Sequence, residues 1–408
     1  MKQLKCIVAA LALAACSQPA AVVTDDLAVV DVEGAVAAMD GLRLSDLGDS
    51  VRYVPLETND SCLIGRNPSV QVLDGYILVS SGGNVFSFDG QDGHFVAKIG
   101  HRGEDPQAYS SASAYYNEGD GLLYFVRYPD RLQVYDLRGH YRGSLKVPIP
   151  PEMPTAYAFS DSVIVGYYAN LAQMNAHARA LLLFGRAGQG CDTVSSLLPM
   201  LPPMGLQDIS SISVKKFGNG GMILTRFQDG SVSANLMGSN LWNHAGHVRF
   251  KESFCDTIYN VVDNRLQPAV AFRTGRWHFP AGERANGEGS DDKILPMCIL
   301  EGVETIFFQC VRGLYDDRPE TLNGIYNRRT QTTRMAPESE GLADDINGFL
   351  PFRPTASTAQ GGYVSLLLPD DILPWLDEHP EARSNPALAP LLGIVEEDNP
   401  VVVIVCRK

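Results

Sequence analysis

The sequence predicts an all-β fold, and within that class a six-bladed β-propeller with a short helical insertion near the C-terminus. Three observations support this prediction. The apolar runs are short, rich in β-branched and aromatic residues, and separated by Gly, Asp, Asn or Pro. Two neighbouring stretches repeat one pattern of strands and turns. The chain also ends in an apolar strand, which a closed ring would protect from exposure as an edge.

The N-terminus predicts a secreted, lipid-anchored protein. Lys2 and Lys5 precede an apolar run that is too short to span a membrane, and the run closes as "LAAC" at 13–16, which is similar to a bacterial lipobox. We therefore expect a signal peptide over 1–15, lipid attached to Cys16 and a flexible tether over 16–40. An ordinary signal peptide followed by a chance cysteine is the alternative.

Charge and the residue after Cys16 bear on partners and location. The formal net charge of −14 argues against nucleic acid as a partner, because phosphate-backbone binding needs a concentrated basic face. By analogy with bacterial lipoproteins, Ser17 after Cys16 implies the outer membrane. The lack of an acidic run after Cys16 favours a protein that faces the periplasm over one displayed on the cell surface. Residues 41–408 are expected to form a single propeller domain.

The repeat is clearest between residues 75–100, "GYILVSSGGNVFSFDGQDGHFVAKIG", and 121–148, "GLLYFVRYPDRLQVYDLRGHYRGSLKVP". Asp89 and Asp136 occupy matching positions, and each is followed by a Gly-containing turn and an aromatic residue. The two units are spaced by about 45 residues, the length of one four-stranded blade. Five weaker echoes follow, among them "GNGGMILTRFQDGS", and six blades fit the remaining length better than five or seven.

The C-terminal part contains one helical stretch and one strong strand. Residues 370–393, "DDILPWLDEHPEARSNPALAPLLG", have acidic start signals and internal Pro breaks, which predict one or two short helices. The run Val401 to Val405 predicts a final strand that completes a blade together with the N-terminal segment.

Five segments in order resemble a known family: "VRYVPLETNDSCLIG" (51–65), "FVAKIGHRGEDPQAY" (95–109), "CDTIYNVVDNRLQPAVAF" (255–272), "DDINGFLPFRP" (344–354) and "EEDNPVVVIV" (396–405). They are similar to signature segments of the six-bladed β-propeller lipoproteins of Bacteroides-type bacteria, whose blades are similar to NHL and TolB repeats. The resemblance implies the propeller fold but no activity. Many members occur beside outer-membrane glycan or peptide uptake systems. This chain departs from the usual pattern after Gly103, where the family tends to have a Gly-rich run.

The charged loop after Ile99 holds the first candidate ligand-binding residues, namely His101, Arg102, Glu104 and Tyr109. No helix of useful length and no Gly-Lys-Ser/Thr follows the glycines, so a phosphate cradle is disfavoured. His101, Glu104 and the neighbouring Asp105 are mixed ligand types for a metal. The favoured interpretation is a connection between blades that Tyr109 anchors by packing, with the charged residues available for ligand contact.

Two further segments supply candidates. Arg276 and Trp277 in "RTGRWHFP" could stack on and hydrogen-bond a sugar, although a Trp packed between blades is the favoured alternative. Asp344, Asp345 and Asn347 hint at a calcium loop, but the Glu that an EF-hand requires is missing, so a tight turn is favoured. These three residues remain candidates for binding a polar ligand.

The cysteines beyond Cys16 form no C-x-x-C pair. A disulfide between Cys298 and Cys310 across a hairpin is possible in an oxidising compartment, but buried free thiols are favoured.

Two functions remain open. The first is a lipid-anchored, non-catalytic binding protein whose loop face recognises a glycan, a peptide or an envelope protein. The second is a propeller enzyme, a lyase or a lactonase-like hydrolase, with a metal in the central channel. Because no complete catalytic constellation is visible, the first is preferred, and we assign no catalytic residue, metal ligand or cofactor.

Overall fold

The computed structural model describes residues 27–148, 153–160, 162–169, 179–186, 190–202, 204–338 and 341–407. The predicted signal peptide and the predicted lipid attachment at Cys16 therefore lie outside the described residues. The N-terminal part contains strand β1 (Ala28–Asp31), helix α1 (Val32–Ala37), a 3₁₀ turn (Leu44–Asp46) and strand β2 (Ser50–Pro55). Neither α-helix in the described residues is long and apolar enough to cross a membrane.

Antiparallel sheets follow one another along the chain. Sheet I contains β3 (Ser69–Leu73), β4 (Tyr76–Ser81), β5 (Asn84–Asp89) and β6 (Phe95–Lys98). Sheet II contains β7 (Tyr115–Asn117), β8 (Leu122–Arg127), β9 (Arg131–Asp136) and β10 (Tyr141–Lys146). Sheet III contains β11 (Ala156–Phe159), β12 (Val163–Tyr167), β13 (Arg179–Gly185) and β14 (Cys191–Ser195).

Sheet IV has three strands, β15 (Ile209–Phe217), β16 (Gly220–Phe227) and β17 (Val232–Met237). Sheet V contains β18 (Leu241–His244), β19 (His247–Phe250), β20 (Thr257–Val262) and β21 (Arg265–Arg273). Sheet VI contains β22 (Ile294–Glu301), β23 (Thr305–Arg312), β24 (Glu320–Asn327) and β25 (Thr332–Pro337). Sheet VII contains β26 (Ala356–Ser357), β27 (Tyr363–Leu367) and β28 (Val401–Cys406), and β2 is its outermost strand.

The repeat that the sequence predicts is present in sheets I and II. Asp89 ends β5 and Asp136 ends β9, and each carboxylate accepts backbone N–H groups of the following turn. The acceptor distances are 2.8 Å from Gln91 N and 2.9 Å from Arg138 N. The matching sequence positions therefore mark equivalent turns, because the same side chain satisfies the same backbone donors.

The first strands of six sheets lie side by side. Strand β7 contacts β11, β11 contacts β18, and β26 contacts both β22 and β3. Sheets III and V are therefore neighbours, although sheet IV comes between them in the chain. An apolar cluster fills the space between each of the neighbouring pairs I–II, II–III, III–V, V–VI, VI–VII and VII–I. Each of these six sheets thus buries both faces against its neighbours.

Sheet IV is a difference from the sequence prediction, in which "GNGGMILTRFQDGS" is an echo of a blade. These residues form β16, the central strand of sheet IV, and the turns on either side of it. One face of the sheet, with Met222 and Leu224, packs on Leu295 and Met297 of sheet VI. The apolar pattern predicted a strand correctly, but it could not indicate which surface that strand covers.

The predicted tether over 16–40 is corrected in its C-terminal part. Strand β1 pairs in parallel with β21, with Ala28 opposite Val270. Without β1, β21 would be the outermost strand of sheet V. The following helix α1 buries Val32, Ala35 and Val36. This segment is ordered because it covers an apolar edge that sheet V would otherwise expose.

The C-terminal helices and the final strand that the sequence predicts are both present. Helix α2 (Pro369–Glu378) and two 3₁₀ turns, Pro380–Ser384 and Pro386–Leu391, form the helical insertion. Strand β28 lies between β27 and β2, with Val403 opposite Tyr53. Because β28 has a partner on both sides, its five consecutive buried residues are protected from solvent.

Candidate ligand-binding site

The loop from residue 99 to residue 110 connects sheets I and II and turns sharply at its start. Gly100 has a φ of +54°, and a Cβ atom at this position would lie 2.7 Å from the Tyr135 ring and 2.9 Å from the Tyr109 ring. A glycine is therefore required here both by the backbone conformation and by the close packing.

Tyr109 anchors the far end of the loop. Its side chain is fully buried and stacks on Phe125 with ring centroids 4.6 Å apart, and its hydroxyl donates to the Ile99 carbonyl at 3.1 Å. The Tyr109 N–H also donates to the His101 carbonyl at 3.0 Å. The candidate role of Tyr109 in ligand contact is therefore wrong, because its side chain has no surface left to offer.

Internal hydrogen bonds hold the charged part of the loop in place. His101 Nε2 lies 2.5 Å from Asp105 Oδ2, and this hydrogen bond lowers the pKa of the Asp105 carboxyl. Arg127 donates from Nη1 to the Gly103 carbonyl at 2.6 Å and from Nη2 to the Glu104 carbonyl at 2.9 Å. The loop is thus preorganised by its own side chains and by Arg127 of sheet II.

This loop and the β4–β5 turn enclose an open pocket of about 620 Å³, which we call the loop pocket. The turn is a Gly82-Gly83 pair with both φ values positive, the usual two-residue hairpin. A Cβ atom on Gly83 would lie 3.1 Å from Arg102 Cδ, so the bare turn leaves room for the arginine. The side chains that line the pocket belong to Asn84, Lys98, His101, Arg102, Glu104 and Ser110, and the buried Tyr109 lies beneath them.

The charges of the loop pocket distinguish it from the rest of the protein. Within the described part of the chain, the side chains of Lys98, Arg102 and Glu104 make no hydrogen bond or ion pair. Arg102 and Lys98 thus present two free cationic groups in a concavity of a protein whose formal net charge is −14.

His101, Arg102 and Glu104 were predicted from the sequence. Lys98 and Asn84 were missed, although the position of Lys98 at the end of a strand and the Gly-Gly turn before Asn84 are both visible in the sequence.

Arg276 and Trp277 lie elsewhere, after β21 of sheet V. Trp277 is half-buried against the cluster between sheets V and VI, which agrees with the favoured packing interpretation. The Arg276 guanidinium lies 4.2 Å from the centre of the Trp277 ring, and that of Arg312 lies 5.7 Å from it. The exposed Arg276 covers the ring that a sugar would have to stack on.

Asp344, Asp345 and Asn347 form a turn between sheets VI and VII, and their polar groups serve the protein itself. Asp344 accepts from the N–H groups of Ile346 and Asn347 at 3.0 and 2.9 Å. Asp345 accepts from the backbone and hydroxyl of Ser45 at 3.0 and 2.6 Å. These contacts favour the tight turn and leave little of the three side chains for a ligand.

A second cavity, of about 480 Å³, lies where the first strands of the six sheets meet. Glu118 is the carboxylate among its lining residues. Two side-chain amides of the lining form hydrogen bonds to neighbouring parts of the chain. Asn243 Nδ2 donates to the Phe159 carbonyl, and Gln71 Nε2 donates to the Ala114 carbonyl. The lining is otherwise made of hydroxyl, aromatic and aliphatic side chains.

Cysteines and acidic residues form no metal site in the described residues. No group of three or more His, Cys, Asp and Glu side chains could hold an ion there. Cys298 lies opposite Gln309 and Cys310 opposite Pro296, and both thiols are free and buried. Burial raises the pKa of the Cys298 thiol to about 12, so it is a packing residue rather than a nucleophile.

Glu301 is the centre of a buried ionic network between sheets V and VI. Its carboxylate pairs with Arg249 at 3.1 Å, with Arg328, and with the Trp242 indole N–H at 3.1 Å. Because the carboxylate is enclosed and fully paired, the network holds the two sheets together and offers no ligand site.

A known structure with a similar fold and two weaker structural matches are found. A protein of Bacteroides fragilis described as exported has a TM-score of 0.60 and 16% identity, over 94% of this chain and 99% of that chain. The WD40 domain of SCAP from fission yeast has a TM-score of 0.37 and 10% identity, over 88% and 98%. BamB from Moraxella catarrhalis has a TM-score of 0.27 and 10% identity, over 59% and 68%.

No curated protein matches the sequence. A family model described as a domain of unknown function, DUF4934, matches residues 27–406. This match begins where the described structure begins and includes β1 and the final strand. The chain therefore belongs to the DUF4934 family.

Proposed function

We propose that this protein is a binding protein of the cell envelope, anchored by lipid on Cys16, which holds an acidic ligand in the loop pocket. One observation carries the proposal. Two cationic side chains, Lys98 and Arg102, line a preformed concavity of an acidic protein and form no ion pair within the described residues. The ligand is a glycan, a peptide or a surface of an envelope protein that carries carboxylates.

The proposal includes a closed, six-bladed propeller of the NHL or TolB type. Its support is the order I, II, III, V, VI, VII in which neighbouring sheets pack, with sheet VII again beside sheet I. The pairing of β2 with β28 would close such a ring. In a propeller, loops at one end of the blades surround the binding face, and the loop pocket is built from two such loops.

Location in the envelope is supported by two observations. The N-terminus has a lipobox-like sequence at 13–16. The Bacteroides fragilis protein with the same fold is described as exported. Several acyl chains on Cys16 would anchor the protein stably, since a single chain binds membranes only marginally.

The chemistry of the pocket favours a carboxylate ligand that also carries hydrogen-bond donors. The planar guanidinium of Arg102 suits a bidentate carboxylate, and Lys98 adds a point charge. The free carboxylate of Glu104 accepts hydrogen bonds from hydroxyl or amide donors of the same ligand. No exposed aromatic ring lines the described pocket, so the anionic group rather than ring stacking provides the specificity.

Calorimetric titration of residues 27–408 with oligogalacturonate and with polyglutamate tests the proposal. We expect one of the acidic ligands to bind, neutral oligosaccharides not to bind, and the affinity to fall as salt is raised. Arg102→Gln and Lys98→Gln should each weaken binding about tenfold. Arg138→Gln removes the same charge from an exposed turn at the other end of the strands and should leave the affinity unchanged.

Two results would overturn the proposal. Equal affinity for acidic and neutral ligands would remove the role of the two cations. A new reaction product in the titrated mixture, formed by the parent and by Arg102→Gln alike, would favour the enzyme alternative with an active site outside the loop pocket.

A further inference from the structure

Strand β15 is a long edge strand that no second strand of the described ranges covers. It pairs with β16 only, and no other described backbone group bonds to residues 210–216. Ser210, Ser211 and Ser213 are exposed on it, as is the rest of the central part of the strand. Free N–H and C=O groups along an exposed edge form a template for another strand.

The outer face of sheet IV is apolar where an antiparallel sheet normally presents polar residues to water. Ile212 is 61% exposed and Val214 is 64% exposed. The register places Val214 opposite Ile223 of β16, and Met237 of β17 lies on the same face. These four side chains form a continuous exposed apolar patch, which in soluble proteins marks an interaction surface.

The sequence of β15, "ISSISVKKF", is complementary to itself when read in the opposite direction. If two copies pair antiparallel about Ser213, Ile212 of each lies opposite Val214 of the other. Lys216 then lies opposite Ser210, and Lys215 opposite Ser211, so no like charges face each other. A register shifted by one residue would place Ile212 opposite Ser213 and lose this match.

We propose that β15 is a dimerisation strand and that its partner is a second copy of this chain. Sheet IV of one copy and sheet IV of the other then form one continuous six-stranded sheet across a two-fold axis at Ser213. Apolar cross-strand pairs at the centre and backbone hydrogen bonds between the two edge strands stabilise this arrangement. The loop pocket is built from sheets I and II and takes no part in it, so dimerisation and ligand binding are independent.

Two surface variants test the register by charge. In Ile212→Lys/Val214→Lys, lysines would face each other twice across the axis. In Ile212→Glu/Val214→Lys, each new glutamate would face a new lysine. All changed side chains are exposed in one protomer, so the fold of the single chain should be preserved.

Sedimentation velocity of residues 27–408 over a concentration series gives the readout. We expect a reversible dimer for the parent, a dissociation constant at least about tenfold weaker for the lysine pair, and recovery of dimer for the glutamate–lysine pair. A parent that stays monomeric up to its solubility limit would overturn the proposal, even if it bound an added extended peptide. So would a dimer that both variants leave unchanged.

Cysteine cross-linking supplies a second measurement. Under mild oxidation, Ser213→Cys should form a covalent dimer, because the two positions meet on the axis. Ser211→Cys should not, since the two cysteines would be about 13 Å apart along the strands. The parent, with its exposed Cys191 and Cys406, gives the background. Equal cross-linking of Ser211→Cys and Ser213→Cys would contradict the register.

Discussion

Gly100 shows how one residue determines the path of a loop. Its positive φ turns the chain away from β6, and the absence of a side chain lets the rings of Tyr109 and Tyr135 close over it. The position of Arg102 in the loop pocket depends on this turn. A binding residue is thus held in place by a residue that contacts no ligand.

We expect Gly100→Ala to lower the free energy of unfolding by about 2–4 kcal/mol, because strain in the left-handed region adds to a collision with two rings. Urea titration followed by fluorescence measures this change. Gly121→Ala is the matched control, since Gly121 has a φ of +71° but open space around it. It should cost only about 1–2 kcal/mol. Equal losses for the two variants would mean that packing on Gly100 is unimportant.

Asp344 illustrates why some residues predicted to bind a ligand serve the fold instead. A carboxylate next to Asn and Gly is equally consistent with a ligand site and with a turn that bonds its own backbone. Tyr109 is similar, since an aromatic residue in a loop can face a ligand or the core. Sequence alone predicts the residue type needed for contact, whereas the direction of the side chain follows from packing with distant residues such as Phe125.

At the scale of elements, the turn between β9 and β10 is held by one carboxylate. Asp136 accepts from the His140 N–H at 2.9 Å and from Arg142 Nη2 at 2.6 Å, and its side chain is only 16% exposed. Burial raises the pKa of this carboxyl, but the hydrogen bonds from His140 and Arg142 outweigh it and lower the pKa from 3.8 to about 2.

This lowered pKa makes the turn sensitive to pH. The ionised carboxylate is favoured in the folded state, so its contribution is complete above about pH 5 and is lost as the pH falls from about 4 to about 2. We expect Asp136→Asn to reduce the free energy of unfolding by about 1–2 kcal/mol at pH 7 and to differ little from the parent near pH 2. Urea titrations at several pH values measure the difference.

Asp89→Asn is the control for this prediction. Asp89 holds the equivalent turn of sheet I through backbone N–H groups, but no arginine in the described part of the chain pairs with it. Its substitution should therefore have a smaller effect. An effect of Asp136→Asn that persisted unchanged at low pH would show that shape rather than charge is responsible.

The whole molecule depends on strands from its two ends. Strand β28 lies between β27 and β2, and residues 401–405 are all buried. Sheet VII in turn packs on sheets VI and I. Removing β28 would expose two sheet edges and two apolar clusters at once.

We expect a chain that ends at Pro400 to lose cooperative unfolding and to aggregate, because the sheets stabilise one another rather than folding separately. A chain that ends at Cys406 should unfold like the parent, since it loses mainly the exposed pair between Arg407 and Glu304. Calorimetry and size-exclusion chromatography distinguish the two. A folded, monomeric chain ending at Pro400 would contradict the mutual dependence of the sheets.

The sequence by itself determined the all-β class, the repeat marked by Asp89 and Asp136, the C-terminal helices and the final strand. These features depend on local preferences and short periods, which neighbouring residues encode. It also pointed to the loop of His101, Arg102 and Glu104. Only the tertiary structure decided that β1 joins sheet V, that sheet IV packs on sheet VI with β15 as an edge strand in the described residues, and that Lys98 and Arg102 line one pocket. Those outcomes depend on contacts between residues far apart in the chain, and no local pattern specifies which distant surface a strand or side chain will cover.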